Sequence, residues 1–214
     1  MKKDGRYDVS GLTEAQFEPG SNKQVLKNRL GIKTTQDMDE AEARALEVVL
    51  DQFIRRYDEQ RRFTAADVSE FHQHWLGEIY EWAGKYRQVN ISKDDFPFAA
   101  AARVPALMSA FEQGALRRYT PCNVVERADI VRALAEVHTE FVLIHPFREG
   151  NGRAARVLAT LMALQAGLPP LDFSVIAREK KQDYFAAVQA GMDKHYKPME
   201  AIFAEIIERS LAAS

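Results

Sequence analysis

The densest polar chemistry of the chain lies in one segment of twelve residues, His145 to Arg156. It contains one imidazole, one carboxylate, one amide, two glycines and several guanidinium groups. Apolar helical patterns precede and follow it, so the glycines interrupt what would otherwise be one continuous helix. A glycine inside a helix costs about 1 kcal/mol relative to alanine, and stability alone gives no reason for that cost. We therefore interpret the segment as a candidate active site that binds a triphosphate.

Two glycines and two arginines in this segment predict a site for phosphate groups. Gly150 and Gly152 allow positive φ and a close approach of backbone N–H groups. The helix that follows presents its N-terminal N–H groups at the same place, which favours bound anions. Arg153 and Arg156 are three residues apart, so we expect them on one helix face. Two guanidinium groups suit a polyphosphate better than a single phosphate.

An acid and a base complete the candidate site. Glu149 would be repelled by bound phosphates unless a cation lies between them, and Mg²⁺ is commonly held by one carboxylate together with phosphate oxygens. His145 could accept the proton of an attacking hydroxyl group. The structural alternative is an Arg–Glu network that caps two helices, with His145 satisfied by a backbone carbonyl. The residue types alone leave both interpretations open.

Composition limits the class of protein. The 214 residues, 46% of them hydrophobic, suffice for one core. A net charge of -2 gives no strong field, so we expect neither direct nucleic-acid binding nor membrane association. The single cysteine, Cys122, cannot form an intramolecular disulfide, which fits a reducing compartment such as the cytoplasm. We find no signal peptide and no stretch near the roughly 20 apolar residues that a bilayer span requires.

Hydrophobic periodicity predicts an all-α domain with a small β-hairpin. Residues 1–38 are expected to form an N-terminal arm and docking element, and residues 39–214 the main domain. We expect a capping box at Thr64 and Asp67 and an N-cap at Asn123. The predicted helices span about 38–57, 64–82, 102–119, 124–144, 152–166, 175–191 and 198–212, with the hairpin at about 86–98.

The segment 145–156 resembles the motif of the Fic family, HPFx[D/E]GNGRxxR, at every specified position. The stretch 80–92 is similar to the family's approach to its flap hairpin, and 26–32 resembles an N-terminal element of one subgroup. The resemblance covers roughly 40–205. It implies a Fic fold with a catalytic loop at 145–156 and a flap at about 86–98. It also implies transfer of AMP from ATP to a Ser, Thr or Tyr hydroxyl of a target protein.

The resemblance implies a role for each site residue. His145 would be the general base, and Glu149 would hold Mg²⁺ between the α- and β-phosphates. The phosphates would bind an anion hole and two arginines, namely Gly150, Asn151, Gly152, Arg153 and Arg156. The flap would clamp the target through Ile91, Ser92, Lys93, Phe96 and Phe98. Ordinary hairpin packing explains the two phenylalanines equally well.

Tyr184 resembles an aromatic residue near the family's adenine pocket. Many members carry an asparagine a turn or two later, where this chain has Gly191-Met192-Asp193. A core role for Tyr184 therefore stays open beside an adenine-binding role.

The sequence offers one weak candidate for an internal inhibitor. In many Fic proteins, the glutamate of a Ser/Thr-x-x-x-Glu-Gly/Asn motif pairs with the second motif arginine, here Arg156. Only Ser10 and Glu14 have that spacing, and Ala15 follows instead of Gly or Asn. We therefore expect a separate small antitoxin protein to supply the glutamate, as for bacterial Fic toxins that act on DNA gyrase or topoisomerase IV. A truncated secreted effector is the alternative.

Two other functions stay open. The same fold could use another nucleotide donor or remove AMP, or the chain could be a nucleotide-binding interaction module. The intact His145 argues against the module, because binding alone requires no base there. The other histidines, His72, His74 and His138, lack carboxylate or cysteine partners at metal-ligand spacing, so we expect surface or capping positions for them.

Overall fold

The computed structural model describes residues 11–93, 95–178 and 180–213, and these are mainly helical. Ser10 and Asp94 lie outside the described residues. The helices are α1 (Thr35–Arg56), α2 (Ala65–Leu76), α3 (Val104–Phe111), α4 (Arg117–Tyr119), α5 (Arg127–Ile144), α6 (Asn151–Gln165), α7 (Ser174–Arg178), α8 (Lys181–Ala190) and α9 (Lys197–Ala212). A π-helical turn (Glu112–Leu116) joins α3 to α4, and 3-10 turns span Thr13–Ala15, Ala101–Arg103 and Gly191–Asp193.

Helix α5 is the centre of the fold because most of its surface is apolar. Leu134, Ala135 and Phe141 are completely buried, and the helix packs against α3, α6, α8 and α9. Helices α1 and α2 form a pair that joins this core where α2 contacts α6. A mostly helical chain with one small hairpin confirms the predicted fold class.

Helix α2 begins as predicted but ends earlier. Thr64 and Asp67 form the expected capping box. The helix stops at Leu76 instead of continuing to residue 82, and the chain goes on in turns. The C-cap residue, Gly77, is the local signal for this end, because glycine is a poor helix former. The apolar spacing nevertheless continues past it, so periodicity alone predicts a longer helix. The buried residues after the helix are Ile79, Tyr80, Trp82 and Ala83.

Two further predicted boundaries are wrong. Helix α5 starts at Arg127, and Asn123 is not its N-cap. Val124 and Val125 extend the apolar pattern in the sequence, but they are 40% and 91% exposed and lie before the first turn of α5. The predicted helix 175–191 is divided into α7 and α8, with a non-helical residue, Lys180, before α8.

The hairpin is short. Strands β1 (Ser92–Lys93) and β2 (Phe96–Pro97) pair antiparallel, with Ser92 opposite Pro97 and Lys93 opposite Phe96. One more backbone bond, from the Phe98 N–H to the Ile91 carbonyl at 3.2 Å, extends the pairing toward the base. We call residues 86–98 the flap.

The described part of the N-terminal arm packs on the body. Val25 is buried in the same core as the helices, and Phe17 pairs with Leu26 in an isolated antiparallel bridge. Glu14 is buried, and its carboxylate accepts the Gln88 N–H at 2.7 Å. The arm therefore contacts the first residues of the flap.

None of the described helices combines the length and the apolar character that a bilayer span requires.

Candidate active site

The loop between α5 and α6 is closed by its own polar groups. His145 follows α5 with a left-handed backbone (φ 50°, ψ 61°), and Phe147 is completely buried. The Asn151 side chain binds Phe147 twice: Oδ1 accepts its N–H at 2.8 Å, and Nδ2 donates to its carbonyl at 2.8 Å. The Asn151 amide therefore closes the loop, and the backbone N–H of this residue at the start of α6 is the group that we expect to meet a phosphate.

The two loop glycines have different reasons to be glycine. Gly150 has φ +81°, and a Cβ there would lie 2.8 Å from the buried Trp75 ring. A Cβ on Gly152 would meet no atom within 4 Å, and Gly152 lines the cavity described below. Packing and backbone conformation therefore require Gly150, whereas at Gly152 the structure leaves open space beside the start of α6.

His145 has the properties of a neutral base. Its Nδ1 lies 2.9 Å from the Val142 carbonyl oxygen. Because that oxygen can only accept, Nδ1 carries the proton and Nε2 carries the lone pair. Burial lowers the pKa of the imidazole to about 4, so the ring is neutral near pH 7. The structural alternative expected His145 to be satisfied by a backbone carbonyl, and this contact is present. It also fixes the tautomer that a general base needs, with the lone pair on Nε2.

Arg153 is bound by the protein itself. Its guanidinium forms an ion pair with Glu42 of α1 and lies 4.8 Å from the centroid of the Trp75 ring. Glu42 is 2% exposed, and its carboxylate also accepts the Tyr80 hydroxyl at 2.7 Å. Burial raises the pKa of Glu42 despite the adjacent guanidinium. The Arg153 guanidinium is also 3.7 Å from the Glu149 carboxylate.

Arg156 has a different environment, although it is only three residues further along α6. It lines the cavity, and its guanidinium carbon lies 5.8 Å from the centroid of the Phe173 ring. Its buried Nε has no hydrogen-bond partner, and no carboxylate among the described residues forms an ion pair with it. The two arginines expected on one face therefore differ: Arg153 is bound to α1, and Arg156 faces the cavity.

A cavity of about 710 Å³ lies between the loop, the flap and α8. Three lysine or arginine side chains, Lys93, Lys181 and Arg156, and one carboxylate, Asp95, contribute to its wall. This local excess of positive charge suits an anionic ligand. The remaining lining residues are Phe96, Phe98, Val142, His145, Gly152, Ile176, Tyr184, Phe185, Val188 and Gln189.

The flap contacts both the base and the far side of the cavity. Phe98 stacks on the His145 ring with centroids 3.6 Å apart, and Phe96 packs against Phe98 edge to face. The Lys93 ammonium lies 4.0 Å from the centroid of the Phe185 ring of α8. Ser92 and Lys93 are exposed, and Ile91 is half-buried at the base of the hairpin. The phenylalanines thus pack within the hairpin and also line the cavity.

Tyr184 combines the two roles that its sequence context left open. It is buried and it lines the cavity, while its hydroxyl lies 2.9 Å from His138 Nε2. His138 is itself buried, and burial lowers its pKa to about 3.

The surface or capping positions expected for His72 and His138 are wrong, because both rings are buried. His72 Nδ1 accepts the Gly84 N–H at 2.8 Å, so Nε2 is the donor to the Glu149 carbonyl at 3.0 Å. The ring also stacks on Phe147 at 3.8 Å. His72 therefore fixes the backbone of Glu149, and helical periodicity alone did not reveal this.

Glu149 offers a single carboxylate at the mouth of the loop. The side chain is 48% exposed, and one of its oxygens accepts the Gly150 N–H at 2.9 Å. Among the described residues no group of three or more His, Cys, Asp or Glu side chains could hold a metal ion. This donor set suits Mg²⁺, which commonly takes one or two carboxylates and completes its shell with phosphate oxygens and water.

Sequence reasoning missed Glu42, Arg87 and Phe185. Glu42 interrupts the apolar face of α1 between Met38 and Val49, and a carboxylate at such a position signals a buried partner. Arg87 alternates with Val89 in the β-prone stretch, which places it on the inward side. Phe185 carried no signal beyond its place beside Tyr184.

Comparisons with known proteins identify the family of this chain. The Fic/DOC family model matches residues 62–163. A probable protein adenylyltransferase Fic from Salmonella typhimurium (strain LT2) is 30% identical over 202 residues, which cover 90% of this chain and 91% of that protein. The protein adenylyltransferase VbhT from Bartonella schoenbuchensis is 27% identical, and the match covers 87% of this chain but 37% of VbhT.

A solved structure shows the same fold. The N-terminal Fic domain of a putative cell filamentation protein from Bartonella quintana, with bound ADP, has a TM-score of 0.70 and 26% identity. The match covers 90% of this chain and 94% of that domain. The chain belongs to the Fic/DOC family. By class it is an enzyme, a protein adenylyltransferase.

Proposed function

We propose that the cavity binds ATP beside a hydroxyl-bearing segment of a target protein, and that AMP passes from one to the other. The observation that supports this most directly is the tautomer of His145. Its Nδ1 proton is bound by the Val142 carbonyl, so the lone pair is on Nε2 of a residue that shares a cavity with Gly152 and Arg156. A neutral base beside a cationic phosphate site suits nucleotide transfer to a hydroxyl group.

The transfer proceeds by displacement at the α-phosphorus. His145 Nε2 takes the proton of the target hydroxyl as the hydroxyl oxygen attacks. A bond forms between that oxygen and the α-phosphorus, the bond from the α-phosphorus to the bridging oxygen breaks, and pyrophosphate leaves. The protein contributes positioning and charge neutralisation, which dominate phosphate-transfer catalysis.

Arg156 carries the main share of triphosphate binding in this proposal. It lines the cavity and forms no ion pair with a described carboxylate, so its charge is available to an anion. The backbone N–H groups of Asn151 and Gly152 at the start of α6 complete the anion hole. Gly150 shapes the turn before them, because its own N–H is bound to the Glu149 carboxylate. Arg153 contributes less, because part of its charge is balanced by Glu42.

Glu149 would be the protein ligand of Mg²⁺ held with the phosphates. When bound, the ion neutralises charge on the phosphate oxygens. Glu149 is oriented by its bond to the Gly150 N–H and by the nearby guanidinium of Arg153. The His72 bond to its carbonyl fixes the backbone from which the carboxylate extends.

The two sides of the cavity would bind different parts of the substrates. The face of Tyr184, whose hydroxyl is already bound to His138, would contact the adenine, together with Phe185. The flap residues Ile91, Ser92 and Lys93 would pair with an extended target segment, since the exposed strand edge offers backbone groups for β-augmentation. Phe96 and Phe98 would form the floor under that segment.

For the biology, we propose a bacterial toxin whose target is the ATPase subunit of DNA gyrase or topoisomerase IV, acting in the cytoplasm. A separate small antitoxin protein would restrain it by bringing a glutamate to Arg156. Two observations support an external inhibitor. Glu14, the one candidate from the sequence, is bound at the flap base to Gln88, and Arg156 forms no ion pair with a described carboxylate.

We assign catalysis to residues 39–214 and a docking role to the arm, 1–38.

Radiolabelling tests the proposal. The protein is incubated with Mg²⁺, ATP labelled at the α-phosphate, and purified gyrase or topoisomerase IV ATPase subunits, beside His145→Ala. We expect label on the subunit with wild-type protein and none with the variant. Label from γ-labelled ATP would contradict AMP transfer. Label on other proteins of a bacterial lysate, with none on these subunits, would contradict only the target.

A further inference from the structure

One buried arginine, Arg87, connects the catalytic loop to both ends of the flap. It is 2% exposed, and its backbone N–H donates to the Pro146 carbonyl at 2.9 Å. Its guanidinium donates to four backbone carbonyls of the described residues. These acceptors are His145 (2.7 Å from Nε), Val89 (2.8 Å from Nη1), Ile144 (3.3 Å from Nη2) and Ala99 (also from Nη2).

The carbonyls that accept from Arg87 lie where the backbone needs a fixed hydrogen-bond partner. His145 has a left-handed backbone, which is unfavourable for a non-glycine residue and persists only where surrounding contacts determine it. The guanidinium binds the carbonyl of His145 itself. Ile144 and His145 also lie at the C-terminal end of α5, where carbonyls carry partial negative charge. Val89 and Ala99 lie just outside the paired strands, so the same group fixes the width of the flap base.

Burying this charge requires compensation, and the arm supplies part of it. Burial lowers the pKa of Arg87, and the Glu14 carboxylate acts in the opposite direction. Glu14 is itself buried beside Arg87, with its carboxylate on the Gln88 N–H and its carbonyl accepting from Arg148 Nε at 2.9 Å. The segment that resembled an inhibitor motif thus provides a counter-charge at the flap base.

We propose that Arg87, with Glu14 as its counter-charge, is a positioning residue for AMP transfer. It holds the His145 backbone and both ends of the flap in one geometry, so that Nε2 and the target hydroxyl meet. Arg87 is not one of the described residues that line the cavity, so it acts through His145 and the flap. This inference rests on the proposed role of His145 as the base.

The variant Arg87→Lys tests the positioning role. Lysine keeps the positive charge but cannot reproduce a planar fork that reaches four acceptors. We expect the transfer rate at saturating ATP to fall about tenfold or more, because small displacements of reacting groups have effects of this size. Equilibrium affinity for a non-hydrolysable ATP analogue should stay within about twofold, because the phosphate-binding residues are untouched.

The matched control is a core variant that loses as much Tm without touching the site. Phe53→Leu suits this, because Phe53 of α1 is buried and its ring packs against Tyr57, Phe71 and His74. An equal fall in transfer rate for Phe53→Leu at equal loss of Tm would overturn the inference. So would an Arg87→Lys protein whose rate stays within about twofold of wild type.

Two further measurements cover the cases in which the first is not decisive. If Arg87→Lys does not fold, the variant Glu14→Gln is used, which keeps an acceptor for the Gln88 N–H and removes only the counter-charge. The transfer rate should then fall severalfold at unchanged ATP affinity, and an unchanged rate would overturn the inference.

If wild-type protein transfers no AMP, the proposed function fails by itself. Positioning is then read from NMR titration of the His145 imidazole, on which the acting charges are Arg87 and Lys93. Its pKa should rise in Arg87→Lys as the ring becomes more exposed, and an unchanged pKa would overturn the positioning role.

Discussion

Arg153 and Arg156 lie three residues apart on α6, and the protein treats them in opposite ways. Arg153 forms an ion pair with the buried Glu42 and stacks near Trp75. Arg156 faces the cavity, with a buried Nε that has no hydrogen-bond partner in the described part of the chain. The spacing of the motif suggests that the two arginines are equivalent. Their contacts show that the Arg153 charge is used within the fold and the Arg156 charge is available to a ligand.

The two loop glycines differ in the same way, one required by the fold and one facing the cavity. Gly150 is required by its positive φ and by Trp75, on the side where Arg153 is bound. Gly152 has open space where a Cβ would be, on the side where Arg156 faces the cavity. The loop therefore has a structural side, fixed to α1 and α2, and an open side that is free to bind phosphates.

Removal of Arg153 should have the largest effect on stability. Arg153→Ala leaves the Glu42 carboxylate buried without its guanidinium, and breaking a buried pair costs about 3–5 kcal/mol. Because Arg153 is partly exposed, we expect a loss of about 2 kcal/mol in chemical denaturation. The double variant Glu42→Gln/Arg153→Ala should lose less than the sum of the single variants. Simple additivity, or a Tm equal to that of wild type for Arg153→Ala, would remove the distinction between the two arginines.

The glycines give a second, smaller contrast. Gly150→Ala should destabilise the protein by about 1–2 kcal/mol, because the new Cβ meets the Trp75 ring and the backbone is left-handed. Gly152→Ala should leave the free energy of unfolding unchanged within about 0.5 kcal/mol. Its affinity for an ATP analogue should nevertheless fall, because a methyl group enters the space assigned to phosphate. Both properties can be measured on the same samples, and a Gly152→Ala protein with normal affinity would mean that no phosphate approaches there.

The smallest effect concerns pH. Burial lowers the pKa of His145 to about 4, and the neutral form is the base. The transfer rate should therefore fall only as pH approaches 4, whereas a base with the ordinary histidine pKa of about 6.5 would be mostly protonated at pH 6. We expect rates at pH 6 and pH 8, measured at saturating ATP, to agree within about twofold. A severalfold fall between pH 8 and pH 6 would show that the imidazole is not buried as described.

The sequence predicts the parts of this account that depend on local chemistry. The loop, its two glycines, His145 and the capping box at Thr64 can be identified from residue types and spacing, and the helical fold from periodicity. The difference between Arg153 and Arg156 cannot, because Glu42 is 111 residues away from its partner and nothing in the motif specifies that contact. The same holds for Arg87, whose acceptors are backbone carbonyls with no residue signature. The early end of α2 was missed because the buried residues in the turns after Leu76 keep the spacing of an apolar helix face, namely Ile79, Tyr80, Trp82 and Ala83.

Nucleotide affinity of Arg156→Gln tests the central claim most directly. Equilibrium binding of a non-hydrolysable ATP analogue with Mg²⁺ is measured for wild type, Arg156→Gln and Arg153→Ala, with Tm recorded for each. Loss of charged hydrogen bonds worth about 1.5–3 kcal/mol predicts at least a tenfold weaker affinity for Arg156→Gln. Its Tm should stay near that of wild type, while Arg153→Ala shows the larger loss of Tm. An Arg156→Gln protein that binds the analogue as tightly as wild type would contradict the assignment of Arg156 as the arginine reserved for the triphosphate.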